Sequence, residues 1–347
     1  MRRGINMGEA SSNMTETIQL AHGAGGRMSA LLTEEVLRPI LGNPILDRLH
    51  DGAVLDMGGK IAFTTDSYVV APLFFPGGSI GRLAVCGTVN DLAMTGAEAK
   101  YLSLSLILEE GLDVEELRRV LIDVRAAVDE AGVLIVTGDT KVVGHGFCDG
   151  IYINTAGVGE MIPNADIAPK NIRPGMDVIV SGFLGDHAAT ITAARHGLKL
   201  PESIKSDAAP LNGLVKEMLR AVPEIACLRD PTRGGAAATL NELAAQSGTG
   251  ILLDEEAIPV RPEVESVCEL LGFEPLYLAN EGKLIAFVPA ERTEELLAVM
   301  RSHPYGKEAR RIGAVTDKAP GQVAMKTALG GIRIVDMPTG SLVPRIC

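Results

Sequence analysis

Four aspartates stand beside glycine- or threonine-rich turns: Asp66 after Thr64 and Thr65, Asp91 after Asn90, Asp139 within Gly138-Asp139-Thr140-Lys141, and Asp230 within Arg229-Asp230-Pro231-Thr232-Arg233-Gly234-Gly235. Carboxylates are hard ligands, and Mg2+ typically shares one or two of them with waters and the phosphates of a substrate. Such a set would let an acidic protein hold an anionic nucleotide. Taken singly, each of these aspartates reads more simply as an Asx-turn or a helix cap. The stretch Gly23-Ala24-Gly25-Gly26 enters a helical pattern through Leu31, Leu32 and Val36, and backbone amides without side chains at a helix start can close on phosphate oxygens. It is neither of the familiar phosphate loops, because Met28 stands where G-x-G-x-x-G needs its last glycine and Gly58-Gly59-Lys60 is followed by Ile61 rather than Ser or Thr. Lys141 and Glu281 are polar groups among apolar neighbours. If they met across a domain interface they would tune each other's protonation and could remove a proton from a bound substrate. The last candidate is Cys347, at the end of the Pro- and Gly-containing stretch that begins at Met337. A thiol on an irregular end is reachable and, as thiolate, nucleophilic. From the tail alone, a stray cysteine on a frayed terminus is the simpler reading. Fully extended, residues 337–347 would span up to roughly 35–40 Å, enough to leave the body of the protein and return to it.

These groups need elements to hold them. A polar break at Thr64–Ser67 interrupts an apolar strand that begins at Ile61. Residues 79–94 read as a helix of small side chains that packs closely on its surroundings and carries Asn90 and Asp91 near its end. Leu102 to Leu108 alternates as a half-buried strand, and Asp113 caps a periodic helix through Val114, Leu117, Leu121, Val124 and Val128 that Gly132 stops. A buried strand at 133–136 runs into Thr137–Lys141, read as a loop, and another strand covers 151–158. The second half alternates strands at 177–181, 251–253, 284–288 and 311–315 with helices at 211–221, 235–246, 263–271 and 293–301, and closes on a hairpin of 322–327 with 331–335. Alternation in both halves favours two α+β or α/β layers. The expected division is a disordered N-terminus over 1–17, a first domain over 18–160, a linker at 161–175, a second domain over 176–335 and a flexible tail over 336–347.

The chain has 347 residues, 46% of them hydrophobic, with 32 basic against 44 acidic side chains for a net charge of −12. Without a concentrated basic run, that balance argues against nucleic acid or an anionic membrane surface as partner. Five cysteines without a C-x-x-C pair point to a reducing cytoplasm rather than a disulfide framework. No apolar run approaches the length of a membrane span.

Seven blocks taken together, Ala21-His22-Gly-Ala-Gly-Gly-Arg27, Thr64-Thr-Asp-Ser67, Val89-Asn-Asp-Leu-Ala-Met-Thr-Gly-Ala97, Gly138-Asp-Thr-Lys-Val-Val143, Arg229-Asp-Pro-Thr-Arg-Gly-Gly235, Ala279-Asn-Glu-Gly-Lys283 and Pro344-Arg-Ile-Cys347, resemble the hydrogenase expression/formation proteins of the HypE family. Most of the blocks belong to a wider superfamily of ATP-using enzymes that includes aminoimidazole ribonucleotide synthetase, selenophosphate synthetase and thiamine-phosphate kinase. The terminal block picks out the HypE branch. The resemblance implies a two-domain α+β fold of the aminoimidazole ribonucleotide synthetase type, whose first domain pairs in a homodimer so that strands of both subunits form a β-barrel. It implies ATP near the domain and subunit interface, with Mg2+. It also implies a reaction in which a HypF-type carbamoyltransferase loads a carbamoyl group onto Cys347, ATP-dependent dehydration turns it into an S-cyano group, and a HypC/HypD-type iron scaffold receives the cyanide for a NiFe hydrogenase. Under this reading Asp66, Asp91, Asp139 and Asp230 hold Mg2+. Gly25, Gly26, Thr65, Asn90, Gly138, Asp139 and Thr140 contact ATP or its phosphates, and Lys141 and Glu281 remove protons from nitrogen. Two rivals are a phosphotransferase of the same superfamily acting on a diffusible small molecule, and a non-enzymatic scaffold whose tail docks a partner.

Overall fold

A computed structural model of the chain describes residues 15–24, 26–48, 53, 55–199, 201–338, 343 and 345–347. The expectation of disorder over 1–17 lies mostly outside these residues, as does the predicted phosphate contact Gly25.

In the first half, a short 3-10 turn at Leu20–Gly23 leads into α1 (Gly26–Leu32), which continues through a π-type turn at Thr33–Leu37 into α2 (Arg38–Leu41). Strand β1 (Ile61–Tyr68), the small hairpin of β2 (Phe74–Phe75) and β3 (Gly78–Ser79), α3 (Ile80–Met94), β4 (Ala97–Glu109), α4 (Val114–Ala131), β5 (Leu134–Val143) and β6 (Ile151–Met161) follow. The four long strands form a sheet in the order β1-β6-β4-β5, antiparallel except for the parallel pair β4/β5. Helix α4 begins where Asp113 accepts a hydrogen bond from the Glu115 amide at 2.8 Å and ends at Gly132, in the left-handed conformation at φ 69°. Helix α3 is buried on nearly every side, between the sheet, α4 and the second half of the chain. Its glycines allow this. A Cβ at Gly81 would overlap the Val120 carbonyl of α4, and one at Gly87 would overlap the Tyr68 hydroxyl of β1.

One departure from the sequence reading bears on the site. Gly138–Lys141 is not a loop but the continuation of β5, in register with Leu104–Ile107 of β4. A Cβ at Gly138 would overlap the Leu104 carbonyl, so the glycine serves close strand approach just past the register shift at Leu102/Ser103. The sheet does not close on itself within the chain: among the described residues β1 and β5 are each paired on one side only.

The second half contains β7 (Met176–Val180), α5 (Asp186–Arg195), α6 (Asn212–Ala221), β8 (Cys227–Arg229), α7 (Gly235–Ser247), β9 (Gly250–Asp254), α8 (Pro262–Leu271), β10 (Ile285–Pro289), α9 (Thr293–Ser302), β11 (Arg310–Thr316), β12 (Val323–Lys326) and β13 (Ile332–Ile334). Its strands make a seven-stranded mixed sheet in the order β13-β12-β9-β11-β7-β10-β8. The halves share a core: Ala188, Ile191, Val264 and Leu278 of the second pack in one cluster with the first half's Leu83, Leu117 and Ile151, and with Ile346 of the tail. No helix among the described residues is long and apolar enough to cross a membrane.

Candidate active site

Where the halves meet, a cavity of about 460 Å³ is lined by Thr64, Thr65 and Asp66 of β1, Asp91 of α3, Asp230 and Arg233 between β8 and α7, Glu281, and the terminal Cys347. A neighbouring cavity of about 470 Å³, bounded by Ser67, Tyr277 and Pro338, shares Arg233 and Cys347 with it, so the last residue forms part of the wall between two chambers.

The local folding explains each position. Asp91 faces β1 from α3, and Thr64 Oγ1 donates to its Oδ2 at 2.9 Å. Asn280 brings Asp230 and Glu281 together: its Oδ1 accepts from the Gly185 amide at 2.7 Å, while its Nδ2 donates to the Pro231 carbonyl at 3.2 Å. Glu281 is fixed by Asp207, whose Oδ1 accepts the Glu281 amide at 3.0 Å and whose Oδ2 pairs with Lys283 Nζ at 3.0 Å. That crossing is tight enough that a Cβ at Gly282 would overlap the Asp207 carbonyl. Asn90 does not line the cavity. It is buried, its Nδ2 donating to the Ala209 carbonyl at 3.0 Å and the Glu281 carbonyl at 3.3 Å and its Oδ1 accepting from the Leu211 amide at 2.7 Å. Its amide fastens α3 to the segment that carries Glu281.

The electrostatics of the cavity are one-sided. Burial, and then the neighbouring Asp91, pushes the Asp230 carboxyl up to about 7. Burial raises Asp91 as well, and Glu281 rises well above the usual carboxylate range through burial and then the charges of Asp207, Asp230 and Asp66. One oxygen of Glu281, Oε1, is buried without a hydrogen-bond partner among the described residues. The Cys347 thiol is likewise held above its ordinary range by burial and then by Glu281, so it is protonated while seated. Arg233 is the opposing charge, and among the described residues it has no hydrogen-bond or ion-pair partner. A hard divalent cation would relieve this excess of carboxylate charge, and the donor chemistry of Asp66, Asp91 and Asp230 fits one. Among the described residues no three His, Cys, Asp or Glu side chains converge closely enough to hold a metal ion alone. This suits an ion completed by phosphate oxygens.

The remaining predicted residues lie elsewhere. Gly138, Asp139, Thr140 and Lys141 line a separate cavity of about 390 Å³ with His22 and Gly23. The turn at Leu20–Gly23 presses so close to β5 that a Cβ at Gly23 would overlap the Val142 amide. His22 Nδ1 accepts the Gln19 amide at 3.0 Å, and its Nε2 is buried without a partner among the described residues. Lys141 pairs with Asp139 at 2.6 Å, with side chains 62% and 60% exposed, and its hydrogen bonds are the main cause that holds Asp139 below its usual value. Within one chain, therefore, Lys141 and Glu281 do not meet, and Asp139 stands apart from Asp66, Asp91 and Asp230. Gly26 begins α1 on the His22 side. Residue-by-residue reading passed over Arg233, Asn280, Asp207 and His187. Arg233 alone carried a signal, as the second arginine of a block otherwise notable for its aspartate.

The family profile of the AIR synthase related protein, N-terminal domain, matches residues 49–161, and that of its C-terminal domain matches residues 173–326. Carbamoyl dehydratase HypE of Azotobacter vinelandii is 52% identical over 332 residues, covering 95% of this chain and 97% of that protein. Among solved structures, hydrogenase maturation protein HypE in complex with ATP superposes with a TM-score of 0.92 at 49% identity, covering 94% of this chain and 99% of that one. The HypE chain of a HypE–HypF complex superposes with a TM-score of 0.78 at 46% identity, covering 88% and 99%.

Proposed function

The chain belongs to the HypE carbamoyl dehydratases, enzymes of hydrogenase maturation built on the AIR synthase related fold, and from that membership we propose that its substrate is its own last residue: ATP-dependent dehydration converts an S-carbamoyl group on Cys347 into S-cyanocysteine. The observation that carries this is the position of Cys347, seated in the wall of the acidic cavity opposite Glu281 and Arg233. The phosphotransferase alternative would place a diffusible acceptor in that space, whereas here the chain's own terminal thiol forms part of its wall.

A HypF-type carbamoyltransferase supplies the carbamoyl group. Its oxygen then attacks the γ-phosphorus of ATP, ADP departs, and one N–H proton is lost. Next the C–O bond breaks, phosphate leaves with that oxygen, the second N–H proton is lost, and S–C≡N remains. Thiocarbamate and ATP thus become thiocyanate, ADP and phosphate, with the elements of water carried off in the phosphate. Phosphorylation is needed because an amide oxygen is by itself a poor leaving group. Glu281 in its ionised form, which burial opposes and the neighbouring Arg233 charge favours, takes a proton from nitrogen and then holds it strongly. Arg233 offsets the charge that builds on the transferred phosphoryl group. Mg2+, held by Asp66, Asp91 and Asp230, would supply further screening of the phosphates. The seated tail covers one side of the cavity, which limits the access of water to the phosphorylated intermediate.

Lys141 and the Gly138–Thr140 stretch enter this scheme through a homodimer. Among the described residues nothing pairs with β1 or β5 on their outer sides, and Ile61, Phe63 and Ile107 of the first sheet are exposed. Joining β1 of one subunit to β5 of the other closes a barrel and sets Gly138, Asp139, Thr140 and Lys141 of the partner subunit beside Thr65 and Asp66. The product cyanide passes to an iron scaffold of the HypC/HypD type, in the cytoplasm.

The test is mass spectrometry of the C-terminal peptide. After carbamoylation, Mg-ATP should make it lighter by one water, Cys347→Ala should abolish the change, and Glu281→Gln should keep ATP binding while dehydration falls by roughly 10²–10⁴-fold. An unchanged mass with a competent donor would refute the assignment.

A further inference from the structure

Of the groups that this chemistry leaves unused, His187 has the most specific surroundings. It lies in the first turn of α5, fully buried, edge-on to Phe75 with ring centroids 5.7 Å apart. Both ring nitrogens are engaged: Nδ1 lies 2.8 Å from Ser206 Oγ, and Nε2 lies 2.8 Å from the carbonyl oxygen of Ile346, the residue before the thiol. A carbonyl can only accept, so Nε2 carries the proton. Ser206 Oγ already accepts the Ala208 amide at 3.2 Å, which leaves its own hydrogen for Nδ1. The relay therefore runs in one direction, from the Ala208 amide through Ser206 and His187 to the Ile346 carbonyl, with a neutral imidazole whose protonation burial opposes.

The neighbouring carbonyls are held too. That of Cys347 accepts from the Val69 amide at 3.0 Å, and that of Arg345 accepts from Arg195. Arg345 stands in the left-handed region at φ 53°, a conformation an L-residue other than glycine adopts only when its surroundings enforce it. Its side chain supplies that enforcement, donating to the Val69 carbonyl at 3.0 Å and pairing with Asp149. The segment that begins the relay at Ser206 also contains Asp207, which fixes Glu281. One stretch of chain thus places both the base and, through His187, the tail.

We propose that His187 is the positioning residue for Cys347: its Nε2–H bond to the Ile346 carbonyl sets the depth at which the thiol enters the acidic cavity, and release of that bond frees the tail for loading. The inference rests on the reading of Cys347 as the carrier, but its test does not use the dehydration reaction. The full-length protein without nucleotide is treated with iodoacetamide, and labelling of each cysteine is followed by peptide mass. In His187→Leu, losing one buried hydrogen bond should speed labelling of Cys347 by about tenfold, while the buried Cys86, Cys148, Cys227 and Cys268 label as in the parent. His187→Gln, which keeps an amide donor at similar reach, should return the rate towards the parent value. Unchanged labelling in His187→Leu would overturn the proposal. So would parallel acceleration at all the cysteines, the mark of general loosening, or a glutamine variant that labels as fast as the leucine one. If labelling behaves as expected but carbamoylated protein is not dehydrated, the function reading fails and the latch stands.

Discussion

The cavity around Cys347 and the cavity around Lys141 both combine carboxylate and basic side chains with threonines, four carboxylates in the first against Asp139 alone in the second, and they are built in opposite ways. The first is interior: Asn90, Asn280 and Asp207 brace it across the two halves, and its carboxyls are shifted by burial and by one another. The second lies along the free edge of β5, and its charges neutralise each other locally in the exposed Asp139–Lys141 pair. The difference teaches that burial between the halves leaves one group of carboxylates charged against one another, whereas an exposed strand edge lets Asp139 and Lys141 satisfy each other.

Mixed dimers give the sharpest way to break that comparison. Lys141→Ala and Cys347→Ala should each be inactive alone. If Lys141 acts across the subunit boundary, refolding them together should restore about a quarter of parental dehydration, since random pairing makes half the dimers mixed and each mixed dimer has one complete site. Action within one chain predicts none, and per-dimer product yield separates the two. Stability should differ next. Lys283→Ala strands the buried Asp207 charge and should cost about 3–5 kcal/mol in urea unfolding, because those side chains are only 14% and 3% exposed. Lys141→Ala breaks a shorter but exposed pair, 2.6 Å against 3.0 Å, and should cost less than about 1 kcal/mol. Comparable losses would show that the edge is not the open region described. The smallest effect concerns pH. Burial holds His187 neutral in the fold, below its ordinary value of 6.5, so the unfolded chain takes up the proton first. Its contribution is therefore whole above the unfolded value and is lost as pH falls below it. The fall in Tm between pH 7.5 and 5.5 should be shallower in His187→Gln than in the parent, and parallel slopes would remove the histidine from this role.

How much of this the sequence discloses depends on the range of the interaction. Asp113 and Gly132 bound α4 by local hydrogen bonding and backbone conformation, and both are legible. The gathering of Asp66, Asp91 and Asp230 is suggested by their common turn-like settings. Gly138 misleads, because a glycine that permits close strand approach looks the same in sequence as one that makes a turn. The bracing by Asn90 is not legible, because the backbone groups it bonds, at Ala209, Leu211 and Glu281, are more than a hundred residues away. Strand β8 is three residues long, too short for any period to register. The docking of the tail is the least legible feature, since the tail's own contribution is largely backbone carbonyls that every residue possesses.

That last point has a consequence for how the terminus works. The hydrogen bonds that hold the tail fall on main-chain oxygens of Arg345 and Ile346, the terminal carboxylate of Cys347 and the Arg345 guanidinium, and none of them uses the sulfur. If Cys347 is the carrier proposed above, the loaded tail can return to the same hydrogen bonds that seat the free thiol, because none of them depends on the group that sulfur bears. Conversion of a loaded, seated chain would then be first order in the assembled dimer.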